Sequence, residues 1–222
     1  MSDNLPIWRQ AISDSNHTLN KAAWIIFSEH MKPEFADKQL VDQKDEVIPF
    51  LYEILDTPTL LDDTSLGSGN APINAAELLG QWKVVDAIPR LIKILEDTDW
   101  GIIIHDAALN ALEKMGEPAI EPLLAFAESR TDEGDRISLA GSLSDMGHRD
   151  PRVWAFVRPL FEKQTGDDDI KFMAESLLAC DRDQAIPILE GKMKQGKYNK
   201  KLRQVLERYI EAAKKPEFDA LT

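Results

Sequence analysis

Four stretches of this chain are versions of one helix. Residues 75–79, 108–112, 139–143 and 173–177 each combine small residues with a closing leucine, and Leu79, Leu112, Leu143 and Leu177 follow one another at steps of 33, 31 and 34 residues. A second apolar stretch follows each of them, at 87–92, 119–124, 157–161 and 185–189, with Pro89, Pro122, Pro159 and Pro187 inside. A period in this range with two helices per unit specifies an α-solenoid, because one helix pair cannot bury its apolar side alone and must stack on the next. The expected fold class is therefore all-α, with about five antiparallel helix pairs.

The repeat frame divides the sequence as one repeat domain over residues 1–222. Residues 1–16 read as a polar segment without a period. A degenerate first repeat is expected over 17–56, with helices near 17–31 and at 47–55, the second matching the later Ile-Pro helices position for position. Residues 57–73 read as an exposed loop because Gly, Ser, Asp and Pro dominate them, and 56–70 is the longest irregular stretch. Core repeats follow over 74–193. A capping helix is expected over 194–213, since apolar residues fall at 202, 205, 206, 209 and 210, and a tail follows over 214–222. Pro118 and Pro151 mark helix starts, where a missing N–H costs nothing. Asp86, Asp169 and Asp183 are expected to cap helices. Gly116 and Gly147 sit where helices must stop, and Gly141 is expected at a close helix contact.

Hydrophobic residues make up 43% of the chain and charged ones 29%, which argues for a packed protein over a disordered one. The longest apolar runs, such as 22–27, are too short to span a bilayer, and the N-terminus lacks a basic region followed by an apolar core, so a cytoplasmic location is expected. The net charge is −13. Residues 192–203 run against it, with Lys192, Lys194, Lys197, Lys200, Lys201 and Arg203 and no carboxylate; setting those six aside leaves 20 basic residues against 39 acidic ones. An acidic body repels phosphate, so nucleic acid is disfavoured as a partner even with this basic end. Self-association, basic end to acidic body, is a further reading, and such a head-to-tail contact need not close.

No catalytic constellation emerges. Cys180, the one cysteine, falls three residues after Leu177, in the register of Trp82, Met115 and Met146, and reads as a buried inert thiol. His17, His30, His105 and His148 lie in different repeats without the i, i+4 spacing of a helical metal site. Asp167, Asp168 and Asp169 lack the spacing of a calcium loop, as do Asp62 and Asp63. Residues 67–70 are glycine-rich, but no Gly-Lys-Ser/Thr follows to make a phosphate loop. No metal or cofactor is expected. Trp100, in the turn between repeats, and Trp154, early in a second helix, are either packing residues or interface anchors.

The consensus of residues 74–96, Ala-Ala-x-x-Leu-Gly and then Ala-Ile-Pro-x-Leu-Ile, resembles the HEAT-like repeats of phycobilisome lyases. Residues 106–126 match well, 137–162 and 170–193 more weakly, and the resemblance extends over roughly 45–213. It implies a right-handed superhelix whose second helices line the binding surface. Glu53, Arg90, Lys93 and Glu162 would then lie on that surface. The function it implies is non-catalytic protein binding along that curved surface, to a partner that the acidic balance would give a basic patch. Two rival readings come with the resemblance, a subunit of a phycobilin-lyase-like enzyme and a HEAT-like DNA glycosylase; the net charge disfavours the second. The family usually places a basic residue three positions before each repeat's first alanine; those positions hold Pro72, His105, Arg136 and Ile170 here, so the regular ladder between repeats is expected to be largely missing.

Overall fold

The computed structural model describes residues 5–196 and 198–215, and Lys197 and the 214–222 tail beyond Lys215 lie outside the described residues. Among the described residues there are thirteen α-helices and no strand. The all-α expectation holds. The chain divides into two compact units, Met1–Met115 and Gly116–Thr222.

The first unit contains α1 (Ile7–Ser13), α2 (Asn20–Ile26), α3 (Pro33–Leu40), α4 (Lys44–Leu55), α5 (Asn70–Gln81), α6 (Ile88–Asp97) and α7 (Ile103–Met115). Residues 1–16 are not simply a polar segment, because α1 buries Trp8 and Ala11. Two buried residues in seven are too few to register as a period. The helix expected near 17–31 is broken: α2 stops at Ile26, and a new helix begins at Pro33, preceded by Lys32 in an extended conformation. The residue before a proline is pushed out of the helical region, which sets the start of α3, while α2 has already ended at Ile26, where Asn74 takes the Ile26 and Ser28 carbonyls. α3 packs on α5, and its Asp37 Oδ1 accepts the Trp82 indole N–H at 2.8 Å.

Residues 57–73 also depart from expectation. Leu60 is buried in a 3-10 turn, α5 starts at Asn70, and Ala71 and Pro72 are buried. The segment is pinned where it meets α2. Gly67, Ser68 and Gly69 all have positive φ, and Ser68 Oγ donates to Glu29 at 2.7 Å. A Cβ on Gly67 would sit 2.7 Å from the Phe27 carbonyl oxygen, so the position needs glycine for space as well as for its φ of 81°.

The tightest helix contact of this unit joins α5 to α7. A Cβ on Gly80 would lie 2.6 Å from the Ala111 Cα. Buried Ala75, Ala76, Ala107, Ala108 and Ala111 give the two helices their small-residue faces. Bulkier Phe50, Leu51, Leu91 and Leu95 fill the core from α4 and α6.

The second unit contains α8 (Glu117–Ser129), α9 (Glu133–Met146), α10 (Pro151–Lys163), α11 (Asp167–Cys180), α12 (Arg182–Gln195) and α13 (Lys200–Ala213). Gly141 is the close-contact site expected, since a Cβ there would meet the Phe172 ring at 2.9 Å. Gly116 has a φ of 71°, but Gly147 does not need positive φ: its constraint is space, with Val153 Cγ2 2.6 Å from a would-be Cβ. The caps differ from those expected. Asp132, Asp150, Asp181 and Asn199 accept backbone N–H groups at the starts of α9, α10, α12 and α13. Asp169 and Asp183 lie inside the first turns of α11 and α12, and Asp86 lies in the turn before α6. α13 buries Leu202, Leu206 and Ile210 in the expected register, starting at Lys200 instead of residue 194.

Gly80→Ala is predicted to destabilise the protein by about 1–3 kcal/mol, because backbone must move to admit the methyl, although alanine favours a helix by up to about 1 kcal/mol. Urea unfolding followed by far-UV circular dichroism measures it; an unchanged or higher midpoint contradicts the close-approach argument.

Candidate binding surface

The second helices were expected to supply a binding face, and the structure sorts its four named residues into two kinds. Glu53 on α4 accepts the backbone N–H groups of Ile7 and Trp8 at 2.9 and 3.2 Å. Its carboxylate satisfies the open N-terminus of α1 and opposes the positive end of that helix dipole. Arg90 on α6 reaches back to Asp56 at 3.0 Å and lays its guanidinium 4.3 Å over the Tyr52 ring, a staple between α4 and α6. Burial raises the Tyr52 hydroxyl pKa, the charge of Asp86 adds to it, and Arg90 opposes both. Lys93 and Glu162 are different. Lys93 pairs with Asp97 at 2.8 Å and Glu162 with Arg158 at 2.8 Å, both within one exposed helical turn. Solvent screens such exposed pairs, so these side chains are easily redirected toward a partner.

The basic stretch is divided by its contacts. Lys192 donates to the carbonyls of Phe161, Glu162 and Gln164 at 3.0, 3.2 and 3.0 Å and sits 4.7 Å over the Phe161 ring. It closes the C-terminus of α10, adding to the Gln164 N–H that already reaches the Phe161 carbonyl. Burial pulls its pKa below the usual lysine value, and Glu162 opposes that. Lys194, Lys200, Lys201 and Arg203 are exposed. They do not form an unmixed basic end: Lys194, Arg203 and Lys214 share a groove of about 300 Å³ with Glu190, Glu207 and Glu211.

The two tryptophans named from sequence are half-buried. Trp100 packs against the His105 imidazole, with ring centroids 4.6 Å apart, and His105 is itself buried and donates from Nδ1 to the Thr98 carbonyl at 3.1 Å. Trp154 lies in the first turn of α10. Trp24, on α2, is the tryptophan turned to solvent, 59% exposed, and Phe35 on α3 is 56% exposed. With Ile25 and Met31 they line a depression of about 380 Å³. In the sequence Trp24 stands in the apolar run 22–27, and its exposure emerges only in the structure, where Ala22, Ala23 and Ile26 form the inward face of α2.

Cys180 is buried, as its register predicts. Burial, with Asp181 and Asp150 nearby, pushes its thiol up to about 12 from an ordinary 9.0. Folding thus holds the protonated thiol, and the stability this gives is full below the ordinary value and is lost as pH rises toward about 12. At pH 8 iodoacetamide is predicted to leave native Cys180 unmodified and to label it only across the unfolding transition, read by intact mass. Rapid labelling in plain buffer contradicts this placement.

No helix among the described residues is long and apolar enough to cross a membrane. A family model for HEAT repeats matches residues 57–144, which holds α5 to α8 and most of α9. No curated protein and no solved structure matches the chain. HEAT repeats generally mediate protein–protein interactions, and scaffolds built from them are generally non-catalytic.

Proposed function

Starting from a chain that carries HEAT repeats across residues 57–144, we propose that this protein is a non-catalytic interaction module whose second helices present the binding face. The observation that supports the reading is the state of α6, which lies inside the matched stretch. Its inward face is closed by Ile88, Leu91 and Leu95, while Lys93, Glu96 and Asp97 stand exposed and are tied only to each other's turn. Exposed charges that no tertiary contact uses are free to set encounter rate and specificity. The net charge of −13 favours a partner with a basic patch. Glu53, Arg90 and Lys192 are not part of this face, since each is engaged in holding helices together.

The test is capture of partners from nuclease-treated lysate by the tagged full-length protein, at low and moderate salt, with Glu96→Lys/Asp97→Lys as the comparison. The expected result is one or two stoichiometric proteins, recovered about tenfold less by the double variant. Equal recovery by both forms would place the binding face elsewhere. No recovered protein in either form would remove the interaction-module reading.

A further inference from the structure

We infer that the turn from α6 to α7, residues 93–106, is a docking surface for a basic partner segment that also carries apolar side chains. The inference rests on the second-helix reading, because Lys93, Glu96 and Asp97 belong to that face; it adds the partner's chemistry and the residues at the centre of the contact.

Both helix ends in this turn depart from what the rest of the chain does. Asp132, Asp150, Asp181 and Asn199 cap the starts of α9, α10, α12 and α13 with side-chain oxygens. At the start of α7 the Ile102 carbonyl accepts the N–H groups of His105 and Asp106, so an isoleucine holds the capping position. Ile102 is 51% exposed, and Ile103, the first residue of α7, is 68% exposed. The other end belongs to α6. A cation is favoured at a helix C-terminus, and Lys44 and Lys192 supply one at the ends of α5 and α10. The last turn of α6 has no basic residue and carries Glu96 and Asp97 instead. Positions that give up local stability are where function is expected.

The turn is fixed from its inner side. Thr98 Oγ1 donates to the Ile94 carbonyl at 2.6 Å, and His105 Nδ1 donates to the Thr98 carbonyl at 3.1 Å. Trp100 packs on the His105 ring. A Cβ on Gly101 would meet nothing within 4 Å, so the outer side of the turn is open. Two aliphatic side chains held on a fixed turn need little ordering when a partner arrives.

Charge decides the occupant. Over residues 93–106 Lys93 is the one Lys or Arg, against Glu96, Asp97, Asp99 and Asp106, and all five are exposed. Lys93 is spent on Asp97, and both charges enter that count. The excess is wider than the turn. Residues 45–113 hold thirteen Asp and Glu against Lys83, Arg90 and Lys93, so −10 of the net −13 falls inside the first unit. Arg90 is paired with Asp56, and Lys114 stands eleven residues beyond Ile103, roughly 16 Å along α7 by helix rise. The negative end of the α6 dipole adds to the carboxylates' field. A partner Lys or Arg placed there supplies the cation that α6 lacks, and apolar side chains beside it cover Ile102 and Ile103. A lipid surface fits less well, because anionic headgroups would meet four carboxylates.

The test is fluorescence anisotropy of three labelled eighteen-residue peptides with the full-length protein. One is an amphipathic helix of leucine and lysine, the second has glutamate in place of lysine, and the third has glutamine in place of leucine. The leucine–lysine peptide should bind, the glutamate peptide should not, and the glutamine peptide should bind about tenfold more weakly. Ile102→Ser and Ile103→Gln should each weaken leucine–lysine binding about fivefold, and Asp99→Asn/Asp106→Asn about threefold with a shallower salt dependence. Ile102→Ser gives α7 a capping hydroxyl, so its melting temperature should equal or exceed the parent's while binding falls. No binding of the leucine–lysine peptide, equal binding of the glutamine peptide, or binding that both isoleucine variants leave unchanged would overturn the inference. If any of these occurs while Glu96→Lys/Asp97→Lys still loses partners from lysate, the second-helix reading stands without it. Sedimentation with phosphatidylcholine vesicles that is lost in Ile103→Gln, with no preference among the peptides, would overturn it in favour of a lipid surface.

Discussion

An α-helix leaves its last carbonyls and first amides without intrahelical partners, and a protein built of many short helices must answer that demand at every end. Here local caps such as Asp132 and Asp150 supply part of the answer, and neighbouring elements within each unit supply the rest. Asn74 on α5 donates to the carbonyls of Ile26 and Ser28, both at 2.8 Å, closing the end of α2. Lys44 donates to the Trp82 carbonyl at the end of α5. The His148 side chain and the Arg149 amide close α11 through Ala179 and Cys180. Lys192 closes α10 with three bonds, and Glu53 closes the start of α1. Each bond also fixes one helix against another, so the requirement to satisfy backbone groups becomes the requirement that the helices stack in one arrangement.

This explains how the stack manages with an interrupted basic ladder. Three positions before the first alanine of each repeat stand Pro72, His105, Arg136 and Ile170. Ile170 and Pro72 are buried apolar positions, His105 is a buried partner of Thr98, and Arg136 lies 5.4 Å from the Phe156 ring. The electrostatic work moved to helix-end caps that differ from one repeat to the next. Because each cap is individual, residues that read as a regular surface in sequence, such as Glu53 and Arg90, turn out to be held inward.

The side chains left over are therefore more informative than the charged residues as a class. Lys93, Glu96 and Asp97 on α6 are engaged only locally. Trp24 and Phe35 stand exposed at outward positions of helices whose inward faces Ala22, Ala23, Ile26, Ala36 and Leu40 already fill, so they add nothing to the core.

The period of about 33 residues, the alternation of helix types, the buried register of Cys180 and the tight contact at Gly141 were all legible in the sequence, because each follows from spacing along a helix. Spacing also supported reading 17–31 as one helix, and composition reading 57–73 as an exposed loop. The first stops at Ile26, where Asn74 takes the end carbonyls, and the second gives way to α5 at Asn70, with Gly67 packed onto the Phe27 backbone. What the sequence by itself determined is the class and the inward face of each long helix, since periodicity dictates which residues share a side. Only the tertiary structure decided which charged side chains are spent on helix ends and which aromatic ring, Trp24 and not Trp100, meets solvent. Those outcomes depend on partners 30 to 50 residues away, and no local pattern encodes them.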